Sequence, residues 1–166
     1  MAEVVALPGR WLYDVALATP PRPRVHPAGL EHLPSDWSVV DGVTLPSGPR
    51  IDHVVVGPNG VFTVGVDPET IPAEIHDDGL YRHGVRVTTP VKHALLGAHE
   101  LRRALGLVTI AYPILVTAIQ ASRHHLDRLG VVPGERIAEH IWSHPGLPLR
   151  RSQRVEVLWA LRRYSG

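Results

Sequence analysis

The segment RIDHVVVGPNGVFTVGVD, residues 50–67, decides the fold of this chain. It contains two apolar runs rich in β-branched residues, 51–56 and 61–66, separated by the turn sequence GPNG. Two such runs around a short glycine-containing link are typical of a β-hairpin. Asp52 lies at the start of the first predicted strand and Asp67 at the end of the second. Carboxylates so placed are what a divalent-metal site needs, and they also occur at any strand end that faces water.

Composition indicates a single folded domain. With 166 residues and 44% hydrophobic content, the chain is long enough to bury a core, and we expect neither general disorder nor a membrane partner. The formal net charge is only +1, so the whole chain gives no strong electrostatic attraction for nucleic acid. The lack of cysteine and of a basic, apolar leader predicts a cytoplasmic protein. The bias towards arginine, alanine, glycine and proline is typical of a GC-rich bacterial genome.

The pattern along the chain predicts an α/β fold. Residues 1–18 alternate weakly and predict an edge strand, and prolines at 20–24 interrupt regular structure. We therefore divide the chain into an N-terminal strand and proline-rich extension, 1–32, and a folded domain with C-terminal helices, 33–166. Within the domain we predict strands at 37–43, 71–75 and 80–87, a helix at about 91–105, a buried strand within 107–118, a mixed polar stretch at 122–130, and helices at 134–142 and 152–164.

The predicted helix at 91–105 has a clear beginning and end. Pro90 suits its first turn, where a missing N–H has no cost, and Gly106 is a natural residue to follow its last turn. Its apolar stripe at helical spacing is predicted to face the core. The stripe consists of Val91, Leu95, Ala98, Leu101 and Leu105.

The sequence resembles the nuclease-related domain family, NERD, of the PD-(D/E)XK restriction-endonuclease-like superfamily. The resemblance is most specific at IDHVVVGPNGVF, residues 51–62, and covers roughly residues 33–145. It implies a restriction-endonuclease-like α/β sandwich, in which helices flank a central mixed β-sheet. In that family, an aspartate on the first hairpin strand and an acid-x-lysine motif on the second form the active site. The two acids hold a divalent metal that polarises the phosphate, and the lysine orients the attacking water.

This chain departs from the family pattern on the second strand. Counting on from Val61, the expected acid falls on Gly65 and the expected lysine on Asp67, so only Asp52 is retained. We therefore predict a nuclease fold with an eroded catalytic site and no cofactor. Such a protein would act by binding nucleic acid or a protein partner.

Two alternatives stay open. In the first, the chain is a divalent-metal-dependent DNA nuclease with a rearranged site, in which Asp52 and Asp67 are the catalytic residues and hold Mg²⁺. Glu69 or Glu74 would then add a ligand. In the second, the chain is a structural module or homo-oligomer whose former cleft is filled.

Arginine doublets supply candidate contacts to the phosphates of DNA or RNA. The doublets that we assign to nucleic-acid binding are Arg102 with Arg103 and Arg150 with Arg151. Two tryptophans, Trp142 and Trp159, are predicted to anchor packing rather than to stack on bases.

The eleven histidines invite a zinc interpretation. His140 and His144 have the i, i+4 spacing that places two ligands on one helical face. His124 and His125 are a second candidate pair. Because Pro145 and Gly146 indicate that the helix ends near His144, and no cysteine is available, we expect these histidines to be solvated. His53 is expected to be a hydrogen-bonded determinant of the fold.

Overall fold

A computed structural model describes residues 29–106, 110–120 and 125–166. The predicted edge strand at 1–18 and the proline-rich stretch at 20–24 lie outside the described residues. Of the predicted N-terminal segment, only the last four residues are described. The fold below is that of the remaining domain.

In the described residues, nine strands form two sheets. They are β1 (Ser38–Val43), β2 (Ile51–Gly57), β3 (Gly60–Val66), β4 (Glu74–His76), β5 (Gly79–Arg82), β6 (Val85–Arg86), β7 (Ala111–Val116), β8 (His125–Leu126) and β9 (Leu129–Val132). The central sheet has the order β1-β2-β3-β7-β9-β8, and a smaller antiparallel sheet has the order β4-β5-β6. In the central sheet β1, β2 and β3 are antiparallel, β7 is parallel to β3 and to β9, and β8 is antiparallel to β9.

Three α-helices flank the central sheet. They are α1 (Thr89–Leu105), α2 (Ile137–Ser143) and α3 (Arg151–Leu161), and short 3-10 turns lie at Leu30–His32 and Gly134–Arg136. Alternate residues of β2 contribute to different cores, because successive side chains of a strand point to opposite faces. Val54 packs in one core with α1 and α3, and Val55 packs in another with α2. This mixed sheet between helices confirms the predicted α/β sandwich and is consistent with a restriction-endonuclease-like fold.

Most of the predicted elements are confirmed. The hairpin, the strand before it and the buried strand at 111–116 form as expected, and α1 ends at Gly106 in the left-handed conformation with φ of 58°. The prediction of a mixed polar stretch at 122–130 was wrong for its last two residues, which begin a buried strand. Residues 129–132, the four-residue strand β9, are fully buried beside β7. A strand this short carries too few residues to show a periodic pattern.

The predicted apolar stripe of α1 was wrong at one position. Leu95 is 42% exposed, whereas Ala94, Gly97 and Ala98 are buried against the sheet. A β-carbon added to Gly97 would lie 3.1 Å from Cγ1 of Ile51, so the glycine permits close approach of helix and strand. Small residues, rather than the largest apolar ones, therefore set the rotation of α1 on the sheet.

The turn of the β2–β3 hairpin anchors the C-terminal third of the chain. The side-chain amide of Asn59 lies 2.9, 3.2 and 3.0 Å from the carbonyl oxygens of Ile141, Trp142 and His144, to which Nδ2 donates. These carbonyls lie at the end of α2, where a helix leaves its last carbonyl groups without partners. The turn carbonyl of Pro58 also accepts a hydrogen bond of 2.7 Å from the amide of Leu149, just before α3.

Replacing Asn59 by alanine removes this cap. We expect Asn59→Ala to lower the free energy of unfolding by about 1–3 kcal/mol, because the partly buried carbonyl groups of Ile141 and His144 lose their donor. Gln120→Ala, which removes an exposed amide side chain, is the control and should change stability by less than about 0.5 kcal/mol. Urea denaturation of the two variants measures the difference. Equal losses in both would contradict the capping role.

Candidate functional site

The open end of the hairpin holds Asp52, on its first strand. The antiparallel register pairs His53 with Val64, so the next residues outward, Asp52 and Gly65, are cross-strand neighbours on one face of the sheet. Asp52 is half-buried, and its Oδ2 accepts a hydrogen bond of 2.8 Å from the backbone amide of Val66. One carboxylate oxygen of Asp52 is thus used within the hairpin itself.

Asp67 lies just after β3 in a buried polar cluster. Its side chain is 3% exposed, and its Oδ2 lies 2.7 Å from Nη2 of Arg82 and 3.0 Å from the hydroxyl of Thr117. Both groups donate to the carboxylate, and Arg82 also donates through Nε to the carbonyl of Ile71 at 2.8 Å. The other oxygen of Asp67 accepts a 3.3 Å hydrogen bond from the amide of Glu69. We call Asp67, Arg82 and Thr117 the buried ion-pair cluster.

The position at which the family's acid is expected is spatially open to a side chain. A β-carbon added to Gly65 would lie 3.8 Å from Cβ of Ala94 and 4.0 Å from Cδ1 of Leu115, which are ordinary contacts. Neither a positive φ nor a clash therefore explains the glycine. The contacts of an added β-carbon give no reason for glycine, rather than a larger residue, at this position.

The fit of these residues to a divalent metal is poor. Asp67 already has a guanidinium at 2.7 Å, and a cation bound there would have to displace or repel Arg82. Glu69 is exposed, and Glu74 is 80% exposed beside His76. Within residues 29–106, 110–120 and 125–166, no group of three or more acidic or histidine side chains is arranged to hold a metal ion.

His53 lies on the opposite face of the hairpin from Asp52. It is 2% exposed, and its Nδ1 is 2.8 Å from Oδ1 of Asp41 on the neighbouring strand β1. The strands β1 and β2 pair these two residues directly in their register. The prediction that His53 is a hydrogen-bonded determinant of the fold is confirmed.

The arginine doublets lie on the layer formed by α1 and α3. Arg102 and Arg103 are exposed in the last turn of α1, and Arg150 and Arg151 are exposed at the start of α3. Arg103 is partly neutralised by Glu100, whose Oε1 lies 3.2 Å from Nη1. In the described part of the chain, no carboxylate lies within 4.0 Å of the other three guanidinium groups. The doublets lie on these two helices, whereas Asp67 lies at the open end of the hairpin.

The prediction that Trp142 and Trp159 anchor packing was wrong. Trp142 on α2 is 60% exposed and Trp159 on α3 is 66% exposed. The guanidinium carbon of Arg162 lies 5.4 Å from the ring centroid of Trp159. The amphipathic pattern of α3 is weak, which is why the sequence did not reveal which face the core takes.

Three histidines lie close together between β8 and the end of α2. The ring centroids of His125 and His140 are 5.1 Å apart, and those of His140 and His144 are 6.1 Å apart. Burial lowers the pKa of His144 below its ordinary value, and the charge of His125 lowers it further. His144 also contacts Tyr112 at 4.4 Å between centroids and Phe62 at 5.5 Å. The cluster thus favours the neutral imidazole of His144.

The fold and the hairpin define a nuclease-like α/β class of protein. The family model of the nuclease-related domain, NERD, matches residues 28–119, more than half of the chain. The chain belongs to the NERD family, and the predicted resemblance is confirmed. The matched region contains the central hairpin, the smaller sheet, α1 and β7.

Two further comparisons found no relatives. Neither the search of curated proteins nor the search of solved structures returned a match. Each helix that the structure describes is also too short or too polar to cross a membrane.

Sequence reasoning missed the partners of Asp67. Arg82 comes from β5, on a separate small sheet, and Thr117 follows β7, fifty residues after Asp67. Nothing in the local pattern of RHGVR, residues 82–86, distinguishes an arginine that inserts towards a buried acid from a solvated one. Because buried acids are almost always paired, a partner for Asp67 can be expected, but the sequence does not show which arginine it is.

The buried ion-pair cluster predicts a large cost for removing its cation. Arg82→Met leaves the Asp67 carboxylate buried without a counter-charge and should lower the free energy of unfolding by about 3–5 kcal/mol. Arg128→Met, at an exposed arginine in the β8–β9 turn, should cost less than about 0.5 kcal/mol. Urea denaturation measures both variants. Combining Arg82→Met with Asp67→Asn should cost less than the two single changes added together; strict additivity would contradict the pairing.

The lowered pKa of His144 predicts a pH dependence of stability. Because the folded protein binds protons at His144 less readily than the unfolded chain, the free energy of unfolding should fall as the pH decreases below 6.5. His144→Gln should make stability less dependent on pH between 7.5 and 5.5, whereas His93→Gln, at an exposed position on α1, should not. Urea denaturation at the two pH values tests this. An unchanged dependence in His144→Gln would contradict it.

Proposed function

We propose that this NERD-family protein is catalytically inactive and binds DNA or RNA through the arginines of the α1 and α3 layer. The observation that carries the proposal is the contrast between two regions. At the open end of the hairpin, Asp67 is neutralised by Arg82 and Asp52 is hydrogen-bonded to a backbone amide. On α1 and α3, arginine side chains project into solvent with few acidic partners. We further propose that it acts in the cytoplasm, as the lack of cysteine favours.

The chemistry at the hairpin supports the absence of cleavage. A phosphodiester hydrolase of this class needs two acids to hold the metal and a cation to orient water. Here Gly65 supplies no ligand, and Asp67 is already saturated by Arg82 and Thr117. Lys92, the chain's one lysine, is exposed on the first turn of α1. Asp52 is left as the single carboxylate of the expected pattern.

The distribution of charge supports binding. Residues 150–163 contain five arginines and one glutamate, a local net charge of +4, so the remainder of the chain carries −3. The +1 of the whole chain therefore hides a strongly polarised molecule. Arg102 and Arg103 on the neighbouring helix extend this basic region, which we define as the basic layer: Arg102, Arg103, Arg150, Arg151, Arg162 and Arg163. A cluster of exposed arginines on one layer is the usual electrostatic footprint of a phosphate-binding surface.

Fluorescence anisotropy with a labelled 20-base-pair DNA and a labelled 20-nucleotide RNA tests the proposal. We expect binding whose affinity falls by about a hundredfold between 50 and 200 mM salt, the loss that four phosphate contacts give. The doubly substituted variants Arg102→Gln/Arg103→Gln and Arg150→Gln/Arg151→Gln should each weaken binding and reduce the salt dependence. Lys92→Gln/Arg128→Gln removes the same charge from outside the basic layer and should retain most of the affinity.

Cleavage assays test the inactive site separately. We expect plasmid DNA to stay intact with either Mg²⁺ or Mn²⁺, for the original protein and for Asp52→Ala alike. Cleavage that Asp52→Ala abolishes would contradict an inactive site. Binding that is insensitive to salt, or weakened equally by the control pair, would contradict the role of the basic layer.

A further inference from the structure

Trp159 is the most exposed tryptophan of the described residues and lies in the arginine-rich stretch 150–163, in which Glu156 is the one acid. Its side chain is 66% exposed on α3, and Val155, one turn earlier, is 48% exposed. Arg162 lies against the ring at 5.4 Å. Residues four apart on a helix share a face, so Arg151, Val155 and Trp159 form one stripe, and Arg162 and Arg163 follow the end of the helix. Arg162 covers part of the ring, and the remainder stays open to a partner.

The geometry points to single-stranded nucleic acid as the partner of this stripe; we infer that Trp159 stacks on an unpaired base while the flanking arginines contact its backbone. This inference rests on the proposed function and specifies its substrate. The basic character of the stripe is complementary to a phosphate chain. The ring provides an aromatic surface, which unpaired bases can use because their faces are accessible.

A duplex fits the stripe less well than a single strand. The bases of a duplex are stacked on one another, so a flat ring on a helix surface has no base face to cover. An anionic protein partner would complement the arginines but offers no flat base on which the ring could stack. A second copy of this chain would bring two positively charged stripes together. The single strand satisfies both the charge and the exposed ring.

The arrangement of α3 also supports a rigid platform. Val157 and Leu161 are buried in the core beneath the helix, which fixes α3 against β2. The guanidinium of Arg154 donates to the carbonyl of Asp36 at 2.8 Å and ties the first half of α3 to the segment before β1. A ring held on a fixed helix loses little freedom when a base stacks on it.

The chain offers a matched control in Trp142. It is 60% exposed, but it lies on α2, which packs on the other face of the sheet. The helix α2 contains no arginine, whereas five arginines lie within residues 150–163 around Trp159, so the surroundings of Trp142 are less positive. Trp142→Ala removes the same ring from a surface that we do not assign to nucleic acid.

Fluorescence anisotropy with labelled (dT)20 and with a blunt 20-base-pair duplex tests the inference in the full chain. We expect the protein to bind (dT)20 more tightly than the duplex. Trp159→Ala should weaken (dT)20 binding about 5- to 150-fold, the range found for the loss of a stacked aromatic ring, and should leave duplex affinity within about twofold. Trp159→Phe should retain most of the affinity, and Trp142→Ala should retain all of it. Thermal unfolding by circular dichroism checks that each variant is folded.

Each other outcome overturns the inference in a recognisable way. If both probes bind through the basic layer and Trp159→Ala changes neither, or changes both equally, the stacking role is wrong and the proposed function stands. If the protein binds neither probe, the proposed function fails together with this inference. If light scattering shows an oligomer that Trp159→Ala dissociates, the stripe is a contact between copies and the inference is wrong.

Discussion

The carboxylate of Asp67 can be buried in this fold only because Arg82 and Thr117 compensate it. A buried acid without a counter-charge costs several kcal/mol, so the approach of Arg82 at 2.7 Å is a condition for the observed packing at the end of β3. The same pair ties the small sheet, through β5, to the central sheet. Asp67, where the family resemblance predicts a lysine, is an acid turned inward to a structural partner.

This arrangement separates the molecule into two electrostatic regions. At the open end of the hairpin, Asp52 bonds a backbone amide and Asp67 bonds an arginine, so little charge is free to act on a ligand. On α1 and α3, the arginines are exposed and outnumber the acids. The central sheet supports the helices that carry this basic surface. The proposed inactive site and the proposed binding surface therefore rest on one uneven distribution of charge.

The sequence predicted the fold well where a pattern is local and strong. The hairpin follows from two β-branched runs around GPNG, and α1 from its proline and glycine boundaries. Prediction failed where tertiary contacts decide. Leu95 faces solvent because Gly97 allows close packing against Ile51, and β9 is buried although only four residues long. The motif alone predicted the position of Asp52 and the lack of an acid at Gly65. It did not predict that Arg82 pairs with Asp67, because Arg82 lies on the separate small sheet. The exposure of Trp159 was also not predictable, because α3 has little amphipathic character.

A crystal soaked in Mn²⁺ measures most directly whether Asp67 is a structural ion-pair partner rather than a metal ligand. The account predicts that the salt bridge between Asp67 and Arg82 persists, with no anomalous density between the carboxylates of Asp52 and Asp67. A manganese peak bridging those two carboxylates, with Arg82 displaced, would contradict it.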